Sequence, residues 1–331
     1  MSDVSRSYHG QRVLKEPIWT WEIPAYFFTG GLAGASAGLA YLSELRGNEV
    51  LARRAWAASF GGIAVSPLFL ISDLGRPMRF LNMLRMFKVT SPMSVGSWIL
   101  SASGATTTVA VASAWTPLFP RAGKIARPAA ALFGLPLSTY TAALVANTAV
   151  PVWHEARQML PFVFGSGAAL SAGAAAVVAT PPEHAGPARR LALAGAALEL
   201  ASNEAMKKRL GEHGEPYSRG APSKLGRLCG ALLVGGAALV ASRGSRSRVA
   251  AVAGGSLLLA GALSARLTVF KAGFESASDP KYVVAPQRAR IGRGERSGAS
   301  RRTARVATGQ GGVPAVEPSR ASPATAPVAL D

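Results

Sequence analysis

The chain has 331 residues, 49% of them hydrophobic and 16% charged, with a formal net charge of +19. Long uncharged apolar runs recur along most of it, which excludes an ordinary soluble domain and indicates a multi-pass membrane protein. The arginine surplus sits mainly in loops and tail, where a membrane surface explains it and nucleic acid does not, and the single cysteine, Cys229, excludes an internal disulfide or an iron–sulfur cluster held by this chain.

Residues 1–23 read as an N-terminal arm of mixed polar and aromatic character, without a signal peptide. Its paired Trp19 and Trp21, just before an apolar run, are what an interfacial belt looks like. Span one is expected from about Pro24 to Leu42, with small residues at spacings that let a second helix approach closely. Span two follows from about Ala55 to Leu74 and ends in an acid, Asp73. Gly75-Arg76-Pro77 then breaks the helix, because proline disfavours helical geometry in the residue before it. In the next run, Arg79, Asn82 and Arg85 lie three apart with apolar residues between them, a pattern for an interfacial helix joining spans two and three. Ser91-Pro92 reads as an N-cap and first-turn proline opening span three, about Pro92 to Trp115.

A basic loop, Pro117 to Arg127, leads to span four at about Pro128 to Val150, with Tyr140 at mid-depth. Spans five (about Leu160 to Ala179), six (about Pro187 to Lys207), seven (about Leu225 to Ser242) and eight (about Val249 to Arg266) complete an all-α integral membrane fold. The expected organisation is a first four-helix bundle over 24–150, a second over 151–285, and a disordered basic tail over 286–331. Eight spans put both termini on one side. The densely basic short loops on the other side argue that they face the cytoplasm; the arginine-rich tail argues the reverse, with less weight in that rule.

Four groups could carry chemistry. Asp73 ends span two, where its plain alternative is a solvated helix end. Glu199 lies near the middle of span six, where a carboxylate costs a few kcal/mol on insertion scales and usually pairs or lines a polar path. Tyr140 offers a phenol, alternatively an apolar body with one satisfied hydroxyl. His154, Glu155 and Arg157 cluster an imidazole, an acid and a guanidinium just below span four, as either a site mouth or an interfacial polar loop. Intramembrane haem needs two axial ligands from facing helices. The four histidines, His9, His154, His184 and His213, offer no such pair, so no haem is expected. Phosphate-binding loops, zinc spacings and Ser/His/Asp arrangements are equally lacking.

WTWEIPAYFFTGGLAG (from Trp19), ISDLGRPMRFLNMLRMFKVTSPMSVGSW (from Ile71), ANTAVPVWHEAR (from Ala146) and RLTVFKAGFESASDPKY (from Arg266) resemble the NrfD-like family, membrane subunits of polysulfide-reductase-type molybdoenzymes. The resemblance implies eight helices in two bundles, a menaquinone or ubiquinone site in the first, and docking of an iron–sulfur subunit wired to a molybdopterin catalytic subunit. It places Tyr26 (a histidine in the family's polysulfide reductase), Asp73 and Tyr140 at the quinone; Arg76, His154, Glu155 and Arg157 are then expected to line the mouth or the docking face. The expectation is therefore a haem-free quinone-reactive subunit in the cytoplasmic membrane, with Glu199 on a second proton path if energy is conserved. The alternatives are an ion-coupled transporter or proton-translocating subunit, in which Glu199 and Asp73 bind the coupling ion, and a structural anchor without a redox role.

Overall fold

The computed structural model describes residues 14, 15, 17–116 and 120–284, and among these every regular element is helical. The first half holds α1 (Glu22–Leu45), α2 (Glu49–Asp73), the short α3 (Phe80–Leu84) after a 3-10 turn at Pro77–Arg79, α4 (Pro92–Trp115) and α5 (Pro120–Ala146). The second holds the short α6 (Pro151–Glu155), α7 (Leu160–Ala179), α8 (Gly186–Leu210), a 3-10 stretch at Gly211–Ser218, α9 (Gly220–Ser242) and α10 (Arg248–Ser278).

Side-chain caps set several starts. Asn48 Oδ1 accepts from the Leu51 N–H ahead of α2, Ser91 Oγ from Ser94 ahead of α4, and Ser247 Oγ from Ala250 ahead of α10. Each satisfies one of the amide donors that a helix start leaves orphaned. The stop after α2 is equally local. Gly75 takes φ +64°, a left-handed conformation that a side chain would disfavour, and Pro77 opens the 3-10 turn beyond it.

Six helices, α2, α4, α5, α7, α9 and α10, are long and apolar enough to cross a membrane. The chain is thus an all-helical multi-pass membrane protein. The remaining two long helices, α1 and α8, fall outside that set, and their composition explains why. α1 is rich in Gly, Ala and Ser, and α8 carries Arg189, Arg190, Glu199, Glu204 and a Lys-Lys-Arg end.

Sequential helices pack as antiparallel pairs, as the register of their close approaches shows. On α1 and α2, Thr29 faces Ser66 and Ala33 faces Ser59. On α4 and α5, Ser103 faces Phe133 and Ser113 faces Arg127. Gly173 meets Ala192 between α7 and α8, and Gly236 meets Gly254 between α9 and α10. α1 lies at the centre, packed against α2, α5, α7 and α10. The crossing of α1 with α5 needs two glycines: a Cβ on Gly34 would fall 2.7 Å from Ser138 Oγ, and one on Gly134 would run into the backbone of Gly34. In lipid, packing of this kind replaces the hydrophobic drive that association has in water.

Several boundaries differ from the sequence reading. Residues 121–127, expected as a basic loop, belong to α5, whose Arg127 pairs with Glu44 across 3.4 Å. Charge density suggested a loop there, but a helix can run past the bilayer and keep its basic residues in water. α5 ends at Ala146, short of the expected Val150, so Tyr140 lies six residues from its end, roughly 9 Å along the axis. α10 continues twelve residues past Arg266. The interfacial element between α2 and α4 is shorter than expected, a 3-10 turn and a five-residue helix with no buried residue. The tail and most of the arm lie outside the described residues, as do His9 and the bundle boundary at 285.

Candidate functional site at the start of the first helix

Tyr26 sits in the second turn of α1 and is fully buried, yet its Oη has no hydrogen-bond partner. An unpaired hydroxyl in an apolar interior costs on the order of 1–3 kcal/mol, so its retention needs a reason. Its ring lies 6.4 Å from that of Tyr140 on α5, tilted by 60°. Tyr140 in turn occupies a space made by Gly96 on α4, where an added Cβ would fall 2.9 Å or less from Tyr140 Cζ. Among the described residues the Tyr140 phenol makes no hydrogen bond. Just below, Thr29 and Ser66 join α1 to α2 through a 2.9 Å hydroxyl contact. Three helices thus bring together two phenols whose polar ends the protein itself does not satisfy.

Asp73 belongs to the same end of the molecule but has other company. Its Oδ1 accepts from Thr20 Oγ1 at 3.0 Å and from the Thr20 N–H at 3.3 Å, tying the end of α2 to the segment before α1. Among the described residues no hydrogen bond or ion pair joins Asp73 to either tyrosine. Arg76 is exposed at the start of the 3-10 turn. Trp19 and Thr20 form a bridge here, because Trp19 stacks on Trp153 at 5.7 Å while Thr20 holds Asp73.

The Trp153–Arg157 cluster divides in two. Trp153 is fully buried, donates from Nε1 to the Val269 carbonyl at 2.8 Å, and contacts Phe270 and Phe274 of α10. Gly273 leaves room for its indole. His154, Glu155 and Arg157 are exposed, with Arg157 Nη1 donating to the His154 carbonyl at 3.0 Å and pairing with Glu155 at 3.8 Å. Nearby in the fold, Glu215 accepts from Lys281 Nζ at 2.7 Å and Tyr282 Oη at 2.9 Å, and pairs with Arg219. These bonds hold the Glu215 carboxyl below the usual carboxylate range, led by the Lys281 bond. Partial burial, then the Glu215 contact, push the Tyr282 phenol up to about 12.

Glu199, in the middle of α8, is fully buried and paired. Arg266 of α10, 3% exposed, lies 3.7 Å from it. Ser166 donates to Glu199 Oε2 at 2.9 Å and Asn203 to Oε1 at 3.3 Å. Arg266 also donates to the Val163 and Phe164 carbonyls and lies 4.3 Å from the Phe164 ring centre. Gly167 makes the space, since a Cβ there would fall 2.7 Å from Glu199 Oε2. Sequence reasoning missed Arg266 as the partner of Glu199, as it did Thr20 and Gly96. The only available signal for Arg266 was an arginine inside an otherwise apolar run.

With this geometry in view, the chain matches the family described as polysulfide reductase, NrfD type, over residues 8–278. The chain belongs to that family. The match spans every long helix, both tyrosines, Asp73 and the buried Glu199–Arg266 pair. No curated protein matched the chain. Within an NrfD family member, the unsatisfied phenols of Tyr26 and Tyr140 stand apart from the Glu199 group, whose polar atoms are supplied with partners by the fold.

Proposed function

We propose that this NrfD family member is the haem-free membrane subunit of a polysulfide-reductase-type complex, binding menaquinone or ubiquinone where Tyr26 and Tyr140 meet, with Asp73 at the end of α2 as the proton-exchanging acid. The observation that carries the reading is the buried, unpartnered Tyr26 Oη beside the equally unpartnered Tyr140 phenol. A quinone supplies two carbonyl oxygens and reversible two-electron, two-proton chemistry. Both phenols are donors, and neither has an internal acceptor competing for its proton. Gly96 and the Tyr26 ring fix the Tyr140 ring in place, so its hydroxyl costs little to orient. Asp73 lies at the helix end, half-buried, where a carboxylate can exchange protons with water while Thr20 holds its position.

Electrons would pass to an iron–sulfur subunit docked at this end, with Arg76, His154, Glu155 and Arg157 on the exposed face, and from there to a molybdopterin catalytic subunit. All eight long helices would cross the bilayer in two groups of four. α1 and α8 have 24 and 25 residues, enough for a hydrocarbon core of roughly 30 Å. Their lower apolarity is compatible with crossing, because neighbouring helices cover α1 and the Arg266 pair neutralises Glu199.

A second reading, proton movement through the second half, has one observation in its favour. Ser166 and Ser202, 3.3 Å apart beside Glu199, also line an open cleft of about 520 Å³ bounded by Met159, Phe162 and Leu198. The primary reading is tested by solvent extraction of the purified protein. Quinone near one equivalent per chain is expected, with loss of most of it in Tyr26→Phe/Tyr140→Phe. Extracts without quinone from membranes that contain it would refute the reading.

A further inference from the structure

A groove of about 690 Å³ runs between α1, α5, α7 and α8. Its shaft is made by Gly34, Gly38, Gly165, Ala168 and Ala194, and its mouth by Arg46, Asn48 and Arg190. From Gly34 to Ser43 the wall extends over nine residue steps of α1, roughly 14 Å at the helical rise, close to half of a hydrocarbon core of about 30 Å.

The polar groups along the shaft are already used. Ser43 Oγ donates to the Leu39 carbonyl at 2.7 Å, Ser138 Oγ to Gly134 at 2.8 Å and Thr139 Oγ1 to Leu135 at 3.4 Å. The shaft therefore presents hydrocarbon over one leaflet's depth. The mouth is different. Asn48 caps α2 and donates to the His184 carbonyl at 2.9 Å, so it braces the two loops on either side. Arg189 is bound to the Pro182 carbonyl at 2.6 Å. Arg46 and Arg190 make no ion pair or side-chain hydrogen bond among the described residues, and both line the opening. An apolar shaft one leaflet deep, closed by two uncommitted guanidinium groups, has the chemistry of an anionic amphiphile's complement.

We infer that this groove is a binding site for an anionic phospholipid of the surrounding bilayer, with an acyl chain in the shaft and the headgroup phosphate between Arg46 and Arg190. The mouth at Arg46 and Arg190 lies toward the far end of α1 from Tyr26, while the inner end of the shaft reaches Ser138 and Thr139, next to Tyr140 on α5; the inference rests on the membrane reading alone. Its role is to fill a seam where α1 and α5 meet α7 and α8, which otherwise leaves small-residue surfaces unpacked.

The test uses the full chain with whatever subunits accompany it, purified in mild detergent and depleted of lipid. Thermal unfolding is followed with added phosphatidylglycerol, phosphatidylcholine of the same chains, or glycerol phosphate. Phosphatidylglycerol should raise the midpoint saturably; phosphatidylcholine should need roughly tenfold more or greater, and glycerol phosphate should do nothing. Arg46→Gln/Arg190→Gln, both at exposed positions, should abolish the preference for the anionic lipid. Gly38→Leu should remove the response to either lipid without lowering the basal midpoint, because a Cβ at Gly38 meets open space. Equal responses to the two lipids, or an unchanged preference in the arginine variant, would overturn the site. So would finding that the molecule lost from Gly38→Leu is a quinone, or that this substitution instead splits a dimer of the chain.

Discussion

Glu199 and Arg266 should behave as one energetic unit. Their charged atoms lie 3.7 Å apart with 0% and 3% exposure, and at an effective dielectric of about 20 this gives roughly 4.5 kcal/mol of attraction. Glu199→Gln keeps the hydrogen-bonding shape toward Ser166 and Asn203 but strands a guanidinium that cannot lose its charge. Arg266→Met keeps the volume but strands a carboxylate and forfeits the bonds to the Val163 and Phe164 carbonyls. Each single change should cost on the order of 3–5 kcal/mol. The double variant, with no net buried charge, should cost far less than their sum, leaving a coupling of about 3 kcal/mol or more in a double-mutant cycle. Reversible unfolding of the protein in bicelles or mild detergent, monitored by tryptophan fluorescence, provides the four energies. Additive single changes would show that the pair is not coupled in the folded protein, contrary to its geometry. A double variant that folds as the parent does then isolates function: retained quinol activity removes Glu199 from any obligatory proton path, and lost activity supports one.

Three further outcomes follow from particular contacts. Gly96→Ala places a methyl within 2.9 Å of Tyr140 Cζ, so quinol turnover should fall at least about tenfold while the helices stay assembled, read by activity and circular dichroism on one sample. Trp153→Ala removes the buried ring that joins Trp19 to α10 and should destabilise the protein by about 3–5 kcal/mol, measurable in the same unfolding assay. The Glu215 carboxyl is held below its ordinary range when folded, so its contribution is present above the unfolded pKa and is lost as pH falls through the carboxylate range and below. Hydrogen-exchange protection at residues 279–284, taken relative to the intrinsic rate at each pH, should therefore fall on acidification, and Glu215→Gln should remove that dependence.

The helical class, the break at Gly75-Pro77 and the cap at Ser91 were legible because each depends on residues a few positions apart. What the sequence did not disclose depends on distance or direction. Arg266 was read as the end of a span, since nothing in a linear pattern joins it to Glu199, 67 positions away. Asp73 was recognised as notable, but its partner Thr20 lies 53 positions earlier, outside the motif that drew attention. The basic run at 121–127 was read as a loop because charge was taken to mark a boundary, whereas α5 carries it within the helix; at the other end α5 stops at Ala146, four residues short of the expected Val150, which leaves Tyr140 nearer the helix end. Trp153 shared a motif with three polar residues, yet a turn of α6 sends it inward and the others outward. Gly96 gave no sign at all; its importance exists only once Tyr140 is seated against it.

The central claim, that Tyr140 and Asp73 serve quinone turnover, is tested most directly by paired activities on single preparations of Tyr140→Phe and Asp73→Asn. Each substitution keeps shape and removes one polar function. A phenol hydrogen bond in a low-dielectric pocket is worth on the order of 1 kcal/mol in the ground state and more as charge develops, so quinol-linked activity should drop several-fold to hundredfold. Activity of the assembled complex with an artificial dye, which bypasses the membrane subunit, should stay at the parent level. Parent-level quinol and dye activities in both variants would place the quinone elsewhere and contradict the site described here.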